Sequence, residues 1–151
     1  MFVRGVVLLL ASLWLAPLTA AEIRPFISGS YGEIVDARGD SRFLLAFWSI
    51  DCPPCYTELE MLGKRMAKRP FDLILVSTDA PGAEAEVGRV LANFGLTDAE
   101  NWIFAAPDQR LRFEVDRTWY GELPRSYLFG PQGRETVTGT LEAETLLRWL
   151  K

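Results

Sequence analysis

The apolar residues of this chain come in blocks, and the spacing within them changes from block to block. Phe43-Leu-Leu-Ala-Phe-Trp48 is an unbroken apolar run of strand length with no polar face, as suits a strand buried on both sides. From Pro53 to Lys68 the spacing becomes helical. Leu59, Leu62 and Met66 recur on one face, Lys64, Arg65, Lys68 and Arg69 gather at the C-terminal end, and Pro70 stops the helix. Phe71-Asp-Leu-Ile-Leu-Val-Ser77 reads as a second buried strand. Asp79 is expected to cap a helix with Pro81 in its first turn, running to about Phe94 and ending at Gly95. Trp102–Ala106 predicts a strand, and Asp108 a helix cap, with the helix reaching Phe113 or Val115. Ser126–Phe129, the turn Gly130-Pro-Gln-Gly133 and Thr136–Thr138 predict a hairpin, and Glu142–Leu150 a closing amphipathic helix with Leu146, Leu147 and Trp149 available to the core. Upstream, Ser30-Tyr31-Gly32-Glu33 has capping-box spacing, and Ile34, Val35 and Ala37 could continue a short helix. The order β-α-β-α-β-α-β-β-α specifies an α/β domain, a central mixed β-sheet flanked by helices.

The N-terminal block is different. MFVRGVVLLLASLWLAPLTAAEIRP opens with Arg4 and continues with an apolar run from Gly5 to Pro17. That run is about 13 residues, short of the roughly 18 expected of a membrane span. Leu18-Thr-Ala-Ala21 then offers small residues for cleavage, with Glu22 just after. This is the layout of a secretory signal over residues 1–21, followed by one domain over 22–151. The rival is an uncleaved N-terminal anchor. Export would deliver the protein to the periplasm or the exterior, where disulfides form and persist.

Composition narrows the chemistry. With 49% hydrophobic residues the chain can build an ordinary core. A net charge of −4 argues against nucleic acid or an anionic membrane surface as a main partner. The chain has no histidine, which removes histidine bases, Cys-His pairs and imidazole metal ligands.

Its only two cysteines stand in Asp51-Cys52-Pro53-Pro54-Cys55. At this spacing, between a buried strand and a helix, both sulfurs lie on one side of the first turn and can close a small disulfide ring. Cys52 falls at the helix N-terminus, where the macrodipole favours a thiolate and lowers the thiol pKa. Cys55, one turn in and more covered, is placed to resolve a mixed disulfide. The prolines suit a first helical turn, where an absent N–H costs nothing, and they stiffen the ring. They also remove two possible donors to the Cys52 sulfur and leave the Cys55 N–H as the local one. A less stabilised thiolate means a more reducing pair. The alternatives are a structural disulfide or a thiolate metal site. A ring this small removes little unfolded-state entropy. Zinc lacks a second pair of ligands, whereas a Cu(I) dithiolate stays possible.

Beyond the cysteines, Phe47-Trp48-Ser49 leads into the pair, Glu58 lies three residues after Cys55, and Gly121-Glu-Leu-Pro124 precedes the Ser126–Gly133 strand and turn. With these features, residues 26–151 resemble the thioredoxin superfamily, and more closely the exported TlpA/ResA-like thiol–disulfide oxidoreductases. The resemblance implies a thioredoxin fold with a redox-active Cys52–Cys55 disulfide. It further implies a cis Pro124 that exposes the Leu123 backbone to an extended substrate segment, and a proton-handling Glu58. No cofactor is implied. The expected partners are protein thiols and disulfides, with a membrane thiol-transfer protein as electron donor, and the protein is expected to be a monomer. Apocytochrome c thiols are one substrate class the resemblance suggests.

The chain departs from the family in two places. Asp51 replaces the usual tryptophan, removing a flat docking surface and setting a carboxylate where it would raise the Cys52 pKa; its alternative role is an N-cap. Ala46 occupies the position of thioredoxin's buried acid. Trp48 is expected beside the site, as core or as docking surface, and Trp119 and Tyr120 likewise as core or substrate groove. The sequence leaves three readings open besides a protein-disulfide reductase: a disulfide-forming oxidant, a copper-handling thiol protein, and a binding module with an inert disulfide.

Overall fold

The computed structural model describes residues 21–151. The segment 1–20, on which the expected secretory signal falls, lies outside the described residues. In chain order the elements are β1 (Ile23–Phe26), α1 (Ser30–Asp36), β2 (Phe43–Trp48), α2 (Pro53–Lys68), β3 (Leu73–Ser77), α3 (Glu84–Asn93), β4 (Glu100–Phe104), α4 (Asp108–Val115), β5 (Arg125–Gly130), β6 (Gly133–Thr138) and α5 (Ala143–Trp149). They build one six-stranded mixed sheet in the order β1-β4-β3-β2-β5-β6. Strands β1 to β4 are mutually parallel, β5 runs antiparallel to its neighbour β2, and β6 runs antiparallel to β5.

The apolar run 43–48 becomes β2, which is buried along its whole length between β3 and β5. Its side chains alternate. Leu44, Ala46 and Trp48 pack with Leu59 and Leu62 of α2, Leu91 of α3 and Leu146 of α5. Phe43, Leu45 and Phe47 pack on the opposite face with Ile34 of α1 and Leu111 and Val115 of α4. The period-two geometry of a strand thus divides one apolar run between two cores. At Gly63, α2 passes so close to the C-terminal end of α3 that a Cβ there would overlap the Phe94 carbonyl oxygen.

Several boundaries differ from the sequence expectation. Strand β1 was not expected. It is four residues long, carries Pro25 and sits at the sheet edge, where a missing N–H is tolerated, in register with β4. Ser30 does not cap α1. The cap is Gly29 at φ 93°, and the Ser30 hydroxyl accepts the Ile27 N–H instead. Glu114 of α4 takes the neighbouring donors, the Gly29 N–H at 3.0 Å and the Ser28 hydroxyl at 2.6 Å. Nor does Asp79 cap α3, which begins only at Glu84. Strand β4 starts two residues earlier than expected, and Pro107 rather than Asp108 stands at the cap of α4. Among the described residues no helix is long and apolar enough to cross a membrane.

Candidate active site

The end of β2 and the start of α2 bring the two cysteines together. Cys52 is the N-cap of α2, with extended backbone at φ −114° and ψ 92°, and the prolines fill the first turn. Cys52 and Cys55 form a disulfide. Cys52 retains 8% exposure and Cys55 none, so only the first sulfur is open to a partner. The helix is 16 residues long with no acid in its first turn, so its dipole acts on Cys52 without local cancellation from within the helix. Two expectations change here. The Cys55 N–H donates to the Cys52 carbonyl oxygen at 3.0 Å, not to the sulfur. Asp51 is exposed and caps nothing; its N–H donates to the Ser49 hydroxyl at 3.2 Å.

The segment before Cys52 is held by residues that sequence reasoning missed. Asp79, just past the end of β3, accepts the Ser49 hydroxyl at 2.8 Å, the Ile50 N–H at 3.0 Å and the Ser77 hydroxyl at 2.6 Å. The Tyr56 hydroxyl donates to the Ile50 carbonyl at 3.0 Å. One signal for Asp79 exists in the sequence: a polar Ser-Thr-Asp follows a buried parallel strand, and the carboxyl ends of such strands are where sites form.

Glu58 lies one turn beyond Cys55 on α2 and is 2% exposed. The Ser126 hydroxyl of β5 donates to one carboxylate oxygen at 2.6 Å and the Leu141 N–H to the other at 2.7 Å. Burial raises its pKa, and these two hydrogen bonds oppose the rise. Ser126 pairs across the sheet with Ala46, so the Glu58 carboxyl is bound to the strand position beside Ala46.

The Leu123–Pro124 bond is cis. The β2–β5 register ends with Phe47 opposite Arg125, which puts Pro124 at the end of β2 that leads to Cys52. Leu123 packs against both cores, including the one that holds the cysteines. Of the other expected residues, Trp48 is 2% exposed and packs in that core, so it supports the site from beneath and offers a substrate no surface. Trp119 is core, its ring 4.7 Å from Phe47 and its indole N–H on the Glu122 carbonyl, whereas Tyr120 is 83% exposed on the same loop. Arg125, which sequence reasoning passed over, is buried immediately after Pro124. It donates to Asp116 at 2.8 Å, to the Tyr127 hydroxyl at 3.1 Å and to Thr138. Burial alone would raise the Asp116 carboxyl; the Thr118 hydroxyl and N–H and the Arg125 guanidinium outweigh it and take the pKa to about 2.

Among the described residues no group of three or more Cys, Asp or Glu is arranged to hold a metal ion. What the site offers is a dithiol: a slightly exposed Cys52 at a helix N-terminus, a fully covered Cys55 one turn on, and the buried Glu58 carboxyl one turn beyond Cys55.

No protein-family model and no curated protein matches the sequence. Solved structures do. A secreted disulfide oxidoreductase of Mycobacterium tuberculosis, homologous to E. coli DsbE, superposes with TM-score 0.58 at 16% identity, over 76% of this chain and 84% of that one. StoA from Bacillus subtilis gives 0.54 at 22%, over 74% and 84%. A thioredoxin-related protein from Neisseria meningitidis serogroup B gives 0.58 at 19%, over 72% and 82%. At these identities the likeness establishes the fold, and the chain has the thioredoxin fold.

Proposed function

We propose that this chain is an exported thiol–disulfide oxidoreductase that reduces disulfides in partner proteins. The observation that carries the proposal is the Cys52–Cys55 disulfide at the N-terminus of α2, of which only Cys52 retains any exposure. In the reduced protein the Cys52 thiolate attacks one sulfur of a partner disulfide. That bond breaks, a mixed disulfide forms, and the partner's second sulfur leaves as a thiol. Cys55 then attacks the Cys52 sulfur, the ring closes, and the second partner thiol departs. Two electrons and two protons pass to the partner, and no cofactor takes part. Glu58 holds or releases the proton at Cys55. The backbone at Leu123 pairs with the substrate segment, and Pro124 and Asp51 line its approach.

The reducing direction is supported by the donors withheld from Cys52. Pro53 and Pro54 have no N–H, and the Cys55 N–H is engaged by the Cys52 carbonyl. The helix dipole is therefore left to stabilise the thiolate without a local hydrogen-bond donor, and the weaker stabilisation favours the disulfide over the dithiol. A reductase in an oxidising compartment needs electrons from a membrane thiol-transfer protein. Of the substrate classes, disulfides formed between apocytochrome c thiols fit a protein of this type. The names of structural neighbours, which include a secreted disulfide oxidoreductase and a thiol-disulfide oxidoreductase, agree with the reading. The test is trapping. Cys55→Ser should accumulate mixed disulfides through Cys52 in the exporting compartment, and Cys52→Ser should not. Absence of any trapped partner would favour an inert disulfide on a binding scaffold.

A further inference from the structure

Cys55 is fixed inside α2, but Cys52 is a cap residue in extended backbone, and its position depends on the segment that precedes it. Asp79 gathers that segment. Its Oδ1 accepts the Ser49 hydroxyl at 2.8 Å, and its Oδ2 accepts the Ile50 N–H at 3.0 Å and the Ser77 hydroxyl at 2.6 Å. Ser49 Oγ accepts the Asp51 N–H in turn, at 3.2 Å, and Ser77 Oγ accepts the N–H of Asp79 itself at 3.1 Å. The carboxylate therefore ties residues 49 to 51 to the end of β3, and Cys52 follows directly. Tyr56 ties the same segment to α2 through the Ile50 carbonyl.

We infer that Asp79 is a positioning residue for the redox pair: by anchoring Ser49–Asp51 it holds the Cys52 sulfur within bonding reach of Cys55, and so sets how strongly the disulfide is favoured over the dithiol. The inference rests on the thiol–disulfide reading above. Ring closure removes the freedom of one sulfur relative to the other, and a pre-positioned Cys52 has less freedom to lose. Loosening the anchor gives that freedom back to the dithiol alone, because in the disulfide the covalent bond itself restrains Cys52. The disulfide then becomes easier to reduce.

The experiment is equilibration of the full chain with dithiothreitol. The protein disulfide and reduced dithiothreitol give the protein dithiol and oxidised dithiothreitol: one S–S bond breaks, one forms, and two electrons and two protons transfer. Asp79→Ala should shift this equilibrium towards the protein dithiol by about fivefold, ~20 mV for a two-electron couple. Asp79→Asn should recover most of the loss, since its amide oxygen can accept the Ile50 N–H and Ser77 hydroxyl while its NH₂ donates to Ser49 Oγ. Ser49→Ala should shift the equilibrium the same way by less. A lowered melting temperature with an unchanged equilibrium in Asp79→Ala would overturn the inference, leaving Asp79 a purely structural residue. So would an Asp79→Asn shift equal to that of Asp79→Ala, which would assign the effect to charge. If Asp79→Ala does not fold, Ser49→Ala decides in its place, and an unchanged equilibrium counts against the inference. A wild-type disulfide that dithiothreitol cannot reduce would remove the redox reading itself, and the inference with it.

Discussion

Burial holds the Glu58 carboxyl above its ordinary value of 4.5, against the Ser126 and Leu141 hydrogen bonds. The folded state therefore binds this proton more tightly than the unfolded chain. The resulting stabilisation is complete below 4.5 and is lost as pH rises through the higher folded value. Wild type should lose stability relative to Glu58→Gln as pH rises from 4.5 through the folded value and then level off, measured by urea unfolding at stepped pH, because the amide can serve both partners without charging. Glu58→Ala should cost ~1–3 kcal/mol at or below pH 4.5 by orphaning the Leu141 N–H and the Ser126 hydroxyl, and the gap should shrink as the wild-type carboxyl charges. Asp116 has the opposite sign. Its pKa falls from 3.8 to about 2, so its contribution of about 2 kcal/mol is present above 3.8 and disappears as pH drops towards 2. The stability gap between wild type and Asp116→Asn should therefore narrow across that acid window; a gap that stays constant would contradict the pairing with Arg125.

The elements that frame the site were the most legible in the sequence. The bounds of β2 and α2 follow from one apolar run, one change of period and two prolines, and all three signals are local. Elements that form by pairing left little trace. Strand β1 has four residues, one of them proline, and exists because β4 lies beside it. Asp79 followed by Pro81 looks like a helix start, yet its carboxylate is taken by Ser49, 30 residues earlier, which no local pattern reveals. The partners of Glu58 are more remote still, Ser126 and Leu141 lying 68 and 83 residues away. Gly63 shows the same limit. Within the sequence it is a poor helix residue, while in the fold it is what lets α2 reach Phe94. Gly63→Ala should improve helix propensity and still destabilise the protein by ~1–3 kcal/mol, because backbone cannot yield as a flexible side chain can. Chemical denaturation measures it, and a stabilised variant would show that the two helices separate freely.

Across the whole molecule, the order of strands and helices was enough to specify a mixed sheet covered on both faces, and the structure adds the two edges. β1 at one side and a largely exposed β6 at the other close the sheet with short or polar strands, which discourages edge pairing between copies. The sheet's architecture has one functional consequence: the end of β2 that leads to Cys52, the end of β3 that leads to Asp79 and the Leu123–Pro124 loop before β5 lie at the same end of the sheet. The central claim is that this disulfide is a working electron store with reducing character. The most direct test is its reduction potential, measured by equilibrating the protein with dithiol buffers. The expected value lies at or below about −230 mV, at the thioredoxin end of the scale. A value near −120 mV, typical of strong disulfide-forming oxidants, would reverse the direction of electron flow, and a disulfide that does not exchange at all would contradict the catalytic reading.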